Sequence, residues 1–264
     1  MDYDSLVLRN AGYISDHAQA RMRDTRVLIA GCGMGSVFAE TAVRLEYEKL
    51  VLVDHDVVDS HNLNRQNFTA ADVGVHKVDA LAKRLLGINP SSEITIIREK
   101  ISIHNADDIV SKSDLVFDTI DFLDLPGLVA LHDACFTQNK KLLTAVNAGF
   151  GVAGLYFPEI KKCTIRDLFD LPQSGSVEGC SYGEKYAGFV QKIAHRLDPV
   201  VVEQFAKILK FLSEGKPCPA PQVAPGIACV AALAGTIAVR IAEDQPILEA
   251  PEMLIISMTN LVCG

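Results

Sequence analysis

A glycine-rich turn set between two short apolar runs constrains this chain more than any other feature. Arg26–Ala30 (RVLIA) is β-branched and apolar, and GCGMGS at Gly31–Ser36 follows without a break. A helical pattern then leads to a second apolar run, Lys49–Val53, which ends on Asp54. Strand, glycine turn, helix, strand and acid is the order of a mononucleotide-binding βαβ unit. Gly31 and Gly33 let the chain turn tightly and bring backbone N–H groups close to a phosphate at a helix N-terminus, with Gly35 and Ser36 closing the turn. In isolation such a turn can also be a plain strand-to-helix connection, the less frequent case. The strand before it and the acid after it favour nucleotide.

The segment after the second strand carries more polar chemistry than a plain dinucleotide fold needs. Asp54 stands where a carboxylate can accept hydrogen bonds from ribose hydroxyls. Asp56 orders the same loop or joins it. Asn64, Arg65 and Gln66 follow, with the arginine suited to bidentate phosphate binding and the two amides able to orient it or reach the nucleotide. Taken singly each would be a solvated turn residue. Lys77 opens a helix from which a lysine can neutralise phosphate as a point charge, although a lone lysine there is more often a surface residue. Asp121 lies just past an apolar run at Leu115–Phe117. A carboxylate beside phosphates is most simply a Mg²⁺ ligand, and its bland alternative is a helix cap of the kind Asp124 offers before Pro126. Nicotinamide chemistry does not call for Arg65, Lys77 and Asp121 together. Nucleoside triphosphate chemistry does, because it works by positioning and charge neutralisation. His61 reads as loop polarity and His132 as part of a helix face.

Strands alternate with helices as far as Ala145. Helical patterns run from Lys77 to Leu86, stopping at Asn89-Pro90, and from Pro126 through Cys135. Short strands are expected at Ile94–Ile97, Leu115–Phe117 and Lys141–Ala145. The class is therefore α/β, with a doubly wound, Rossmann-like, mostly parallel sheet. Gly149–Phe157 alternates weakly and reads as an antiparallel addition. Lys161–Tyr186, rich in Gly, Ser and Pro, reads as a long crossing loop. Helices at Val200–Leu212 and from Gly226, an extended Pro-rich stretch at Lys216–Pro225 and a late strand at Met253–Met258 complete an antiparallel C-terminal extension. One domain over residues 1–264 is expected: an N-terminal helical segment (1–25), a nucleotide-binding core (26–148) and the crossing loop, helices and last strand (149–264).

Composition narrows the setting. The chain has 264 residues, 49% of them hydrophobic, and a formal net charge of −8. That acidity weighs against a nucleic-acid partner, whose surface usually demands a basic face. The acidic N-terminus MDYDSLVLRN lacks the apolar core of a secretory signal. The apolar run Gly226–Val239 is too short for a span of roughly 18–20 residues, so a buried helix and no membrane association are expected. Seven cysteines with no Cys-x-x-Cys pair read as reduced thiols of a cytoplasmic protein, and no structural zinc is expected.

These residues together resemble the ThiF/MoeB/HesA family, bacterial relatives of ubiquitin-activating enzymes. The resemblance runs from Arg9 to Ala148, and more loosely over the helix from Gly226. It is carried by RVLIAGCGMGS, LVDHDVVDSHNLNRQ, DVGVHK leading into LAKRLLGINP, and DTID. It implies a homodimer that adenylates a carboxylate with MgATP, often the C-terminal glycine of a small ubiquitin-like or sulfur-carrier protein. By the same resemblance Gly31, Gly33 and Gly35 match the phosphate turn, and Asp54 the ribose acid. Asn64, Arg65, Gln66 and Lys77 match the ATP-contacting group, and Asp121 the magnesium-associated catalytic acid. Arg9 resembles an arginine that reaches the partner subunit's ATP. Cys180 stands in the crossing loop where some relatives hold an acyl-accepting thiol; a free cysteine is more often a small buried hydrophobe. Three departures stand out: a glycine segment one residue shorter than the usual GxGGxGS, no zinc-binding cysteine pairs, and no sulfurtransferase-like stretch after Met258. Two other readings share the fingerprint, a NAD-dependent oxidoreductase and a non-catalytic nucleotide-binding dimeric scaffold.

Overall fold

The computed structural model describes residues 3–121, 123–160, 162–180, 182–214 and 220–259. Two short helices, α1 (Tyr3–Val7) and α2 (Asp16–Asp24), lead into β1 (Arg26–Ala30), α3 (Gly35–Arg44) and β2 (Lys49–Val53). Then come α4 (Lys77–Ile88), β3 (Glu93–Ile97), α5 (Ala106–Ser111), β4 (Leu115–Asp118), α6 (Leu125–Thr137) and β5 (Lys141–Ala148). The remainder is β6 (Gly151–Phe157), α7 (Ile165–Leu168), α8 (Tyr182–Ile193), α9 (Pro199–Ser213), α10 (Ala224–Ala242) and β7 (Leu254–Ser257).

All seven strands form one sheet in the order β3-β2-β1-β4-β5-β6-β7. The first five run parallel, and β6 and β7 add on antiparallel. β1 alternates inside itself: Val27 and Ile29 join a core with Phe38, Leu81 and Ala234, while Leu28 and Ala30 join another with Ile109, Leu131 and Cys135. Both faces are covered, the condition under which a parallel sheet is stable and its strands read as unbroken apolar runs. The order in which strands are added reverses between β1 and β4, so the crevice beyond their carboxyl ends is the switch point where such sheets bind ligands.

The C-terminal half departs from expectation in three places. β6 does not alternate; all seven of its residues are buried, because α10 lies over one face and the α9 side over the other. The segment read as a crossing loop contains α7, capped by Thr164, and the start of α8. α8 escaped notice because its Gly183 and Gly188 dilute the helical pattern; Phe169, Tyr186 and Val190 nonetheless pack with Leu125 and Leu128 of α6 in a third apolar cluster. α10 has 19 residues, long and apolar enough to cross a membrane by length and composition, where the apolar run alone suggested too short a segment. It buries Val230, Leu233, Ala234 and Ile237 in the core. Gly235 lets α10 lie close against Thr41 of α3 and Leu45 at its C-terminal end. Of the extended Pro-rich stretch, 215–219, with Cys218, lie outside the described residues, as does Cys263.

Candidate functional site

The parallel register brings the sequence motifs to one edge. Ala30 pairs with Val53 on one side and with Asp118 on the other, so Gly31, Asp54 and Thr119 leave the sheet side by side. Gly31 donates its N–H to Val53 O (2.9 Å), and Thr119 donates to Ala30 O (2.9 Å). Gly31 has φ +90°, and a Cβ there would meet Thr119 O at 2.6 Å. Thr119 Oγ1 donates to Gly31 O (2.7 Å), while Ser36 Oγ donates to Gly33 O (2.7 Å) and accepts from Asn67 N–H (3.0 Å). A Cβ on Gly35 would lie 2.7 Å from Ile29 Cγ2, so the helix can approach the strand only as glycine. Three sequence-distant segments, at Val53, Asn67 and Thr119, thus fix the turn.

Asp54 is buried, and its two oxygens accept the N–H groups of Cys32 (2.7 Å) and Asp56 (2.8 Å). Asp54 therefore clamps the glycine turn. Burial and the adjacent Asp54 carboxylate push the Cys32 thiol well up, which leaves it unreactive. Lys77 is buried, and its Nζ meets Asp56 Oδ2 at 2.7 Å. Burial raises the Asp56 carboxyl, but the hydrogen bond and charge of Lys77, with His55, outweigh it and hold the group below the usual range. Asp54, His55 and Asp56 offer ligand atoms within 4.8 Å of one another. Lys77 offsets the charge of Asp56, and two N–H groups occupy the oxygens of Asp54.

Asn64, Arg65 and Gln66 follow a short 3₁₀ turn at Ser60–Asn62 capped by Asp59. Buried Asn62 accepts the N–H groups of Arg65 (3.1 Å) and Gln66 (3.0 Å) and so sets their direction. Exposed Asn64 offers Oδ1 to Arg65 Nη1 at 2.9 Å. Buried Gln66 has its Nε2 3.1 Å from where a Cβ on Gly33 would sit, and its Oε1 is buried without a hydrogen-bond partner. An acceptor left unmet against a phosphate-type turn is unusual, since buried polar atoms are nearly always paired.

Asp121 is exposed, with Oδ1 accepting Leu123 N–H at 3.0 Å. Burial pulls the Arg65 guanidinium down from the ordinary arginine value, and the charge of Asp121 opposes that pull. Burial, aided by the same carboxylate, pushes the Tyr186 phenol up. Arg65, Asp121 and Tyr186 therefore share one neighbourhood. An exposed carboxylate with one oxygen committed fits Mg²⁺, which keeps several waters and needs only one or two carboxylates plus substrate phosphates. Asp124 caps α6 at Gly127 N–H (3.3 Å) and pairs with Lys100 (3.1 Å).

Arg9 is not brought to this edge. Asn10 Nδ2 donates to Gln19, and Gln19 Nε2 donates to Leu45 O at the far end of α3. Ser15 and Arg21 likewise bind Glu243, Asp244 and the Ala242 carbonyl, at the far end of α10. A ten-residue helix rises about 15 Å, so the Asn10–Gln19 anchor beside Arg9 lies at the end of α3 away from the glycine turn. Cys180 is half-buried at the margin of the third apolar cluster. His61 is exposed beside Asp59 (3.2 Å). His132 lies on the buried face of α6, with Nε2 3.1 Å from Asp118 Oδ2 and 2.9 Å from Thr144 Oγ1.

Sequence reading missed Thr119, Tyr186 and Gln222 at this edge. Gln222 Oε1 accepts from Arg65 Nε across 157 positions of chain. No local pattern marks such a contact.

A doubly wound α/β fold with a phosphate-type glycine turn at its switch point is the class these features define. The ThiF family model matches residues 7–261, and the chain belongs to the ThiF family. It is 32% identical over 135 residues to the sulfur carrier protein ThiS adenylyltransferase of Escherichia coli (strain K12), covering 50% of this chain and 53% of that protein. With the SAMP-activating enzyme E1 of Haloferax volcanii it shares 29% over 172 residues, 64% of this chain and 62% of the relative. The matched region spans only 32% of a probable molybdopterin-synthase adenylyltransferase from Pyropia yezoensis. Among solved structures, E. coli MccB with succinimide superposes with a TM-score of 0.71 at 18% identity, over 97% of this chain and 68% of the other. E. coli TcdA in complex with ATP gives 0.64 at 20%, over 92% and 95%. At these identities the structural likeness is one of fold.

Proposed function

We propose that this chain is an adenylyltransferase that uses ATP to activate a carboxylate, acting as a single adenylation domain. The convergence of Arg65, Asp121 and the Asp54-clamped glycine turn at the sheet's switch point carries this reading. It has further support from relatives named as adenylyltransferases of a sulfur carrier and as a ubiquitin-like modifier-activating enzyme, and from a fold neighbour solved with ATP. A small ubiquitin-like or sulfur-carrier protein ending in glycine is the substrate class favoured.

In this scheme the α-phosphate lies at the α3 N-terminus, where the glycine turn brings backbone N–H groups toward it. Asp54 accepts from the ribose with its remaining lone pairs. The substrate carboxylate oxygen attacks the α-phosphorus in line, the bond to the bridging oxygen breaks, and pyrophosphate leaves with that electron pair. The product is an acyl-adenylate, open to a thiol, amine or hydroxyl nucleophile. Arg65 and Lys77 offset charge on the phosphates. Asp121 would hold Mg²⁺, which supplies charge neutralisation along the triphosphate. Arg9 would act from the partner subunit of a homodimer, since its own site is out of reach. Fixing both reactants contributes on the order of 7–11 kcal/mol to such a step.

The test is ATP–pyrophosphate exchange dependent on an added carrier protein with a glycine C-terminus. Asp121→Ala and Arg65→Ala are each expected to lower exchange by about 10²-fold or more, the scale of losing one transition-state contact. Undiminished exchange in Asp121→Ala would remove that residue from the mechanism. ATP binding without pyrophosphate formation would instead favour the scaffold reading.

A further inference from the structure

Gln222 comes from the short stretch 220–223 that precedes α10, yet it sits between two parts of the nucleotide edge. Its Oε1 accepts from Arg65 Nε. Its Nε2 lies 3.8 Å from Met34 Sδ, and Met34 is the N-cap residue of α3 in the glycine turn. Arg65 Nη1 is held separately by His61 O and Asn64 Oδ1, both at 2.9 Å. Two of the three guanidinium nitrogens are therefore fixed by neutral oxygens. Among the ion pairs of the described residues, none joins Arg65 to Asp121 or to any other acid. We propose that Gln222 is a positioning residue: it locks the Arg65 fork in a phosphate-facing orientation without cancelling its charge.

The chemistry of the amide is the reason. A carboxylate at this position would also accept from Nε, but it would pair with the guanidinium and place a negative charge beside the triphosphate. An apolar side chain would leave Nε unheld, with only the two Nη1 contacts to resist a swing toward Asp121. A neutral acceptor avoids both outcomes, and a fork held before the ligand arrives loses less freedom on binding. Met34 supports the amide from below, which couples Arg65 to the glycine turn. This inference rests on the reading of the edge as an ATP site.

The test is calorimetric titration of the full chain with MgATP and, separately, with adenosine. Gln222→Leu, which keeps the volume and removes the acceptor, is expected to weaken MgATP binding about tenfold and to leave adenosine within about twofold. Gln222→Glu is expected to weaken MgATP at least as much. On an Arg65→Ala background the added loss from Gln222→Leu should fall within about twofold, because the residue acts through Arg65. A Gln222→Leu protein that binds MgATP as well as or better than the parent overturns the proposal, the latter outcome marking Gln222 as a competitor of the phosphates. So does a tenfold loss that persists without Arg65, which would mean that Gln222 serves the ligand or the turn by itself. Gln222→Ala replaces the leucine variant if thermal melting shows the latter misfolded. A parent protein that binds neither MgATP nor adenosine overturns the nucleotide reading, and this proposal with it.

Discussion

A side chain at Gly31 would have to hold φ +90° and meet Thr119 O at 2.6 Å, so this position joins backbone strain to a collision with backbone. Left-handed strain alone costs about 1–3 kcal/mol for a non-glycine residue. Gly31→Ala is therefore expected to lose about 2 kcal/mol or more in urea unfolding and to lose MgATP binding. Gly175, with φ +84° and nothing within 4 Å, supplies the comparison. Gly175→Ala should show the strain cost alone, about 1–2 kcal/mol, with nucleotide binding kept. Equal effects at the two glycines would mean that Thr119 yields easily. The same contrast explains what could be read in advance at this scale. Gly31 and Asp54 are legible because a local backbone rule ties a glycine turn to a following acid. Gln66 is legible by type, but its burial against Gly33 is not. Thr119 has no signal at all, since its role depends on where β4 pairs with β1.

Two elements are joined at the site by carboxylates that resist acid. Glu40 of α3 accepts from Arg44 and from Arg84 of α4, and Asn67 donates to it at 2.9 Å. Burial raises its carboxyl, yet the two arginines outweigh this and hold it below the usual range, as Lys77 and His55 do for Asp56. A depressed carboxylate stabilises the fold fully above its unfolded value, near 4.3 for Glu and 3.9 for Asp, and loses that contribution as pH falls through the lower folded value. The α3–α4 and Asp56–Lys77 links should therefore hold at pH 5 and fail only below about pH 4. Asp56→Asn should flatten the acid limb of stability against pH; an unchanged limb would count against the Lys77 pair. On the opposite face, His132 of α6 reaches Asp118 at the end of β4, where Asp118 Oδ1 also accepts Ile120 N–H (3.0 Å). Taking a hydrogen-bond partner from a buried polar group costs about 1–3 kcal/mol, so His132→Leu should fall in that range on chemical unfolding. The elements themselves were mostly legible. β1 and β2 have the boundaries that their apolar runs mark, and Asn89-Pro90 follows the end of α4 directly. α8 was not legible, because its glycines mask a face that only the aromatic cluster of Phe169, Tyr186 and Phe205 defines.

At the scale of the molecule, helices α3 and α10 separate two chemistries. Their N-terminal ends meet the glycine turn and Gln222, while their C-terminal ends receive the Asn10–Arg21 segment. If Arg9 completes a partner's site, inactive Arg9→Ala and Asp121→Ala chains should complement when mixed. Random pairing into symmetric dimers gives one intact site in half of them, roughly a quarter of wild-type exchange. No recovery would place Arg9 outside the reaction or the chain outside a dimer. The sequence by itself determined the parallel α/β class, the phosphate-type turn and the identity of the polar residues around it. Those follow from period, glycine spacing and side-chain chemistry, all local properties. Only the tertiary structure decided that Asp56 holds Lys77, that α10 packs against α3, that Arg9 lies at the wrong end for its own site, and that Gln222 grips Arg65. Each depends on which distant segments the sheet order makes neighbours, and strand order is set by packing over the whole chain rather than by any stretch of it.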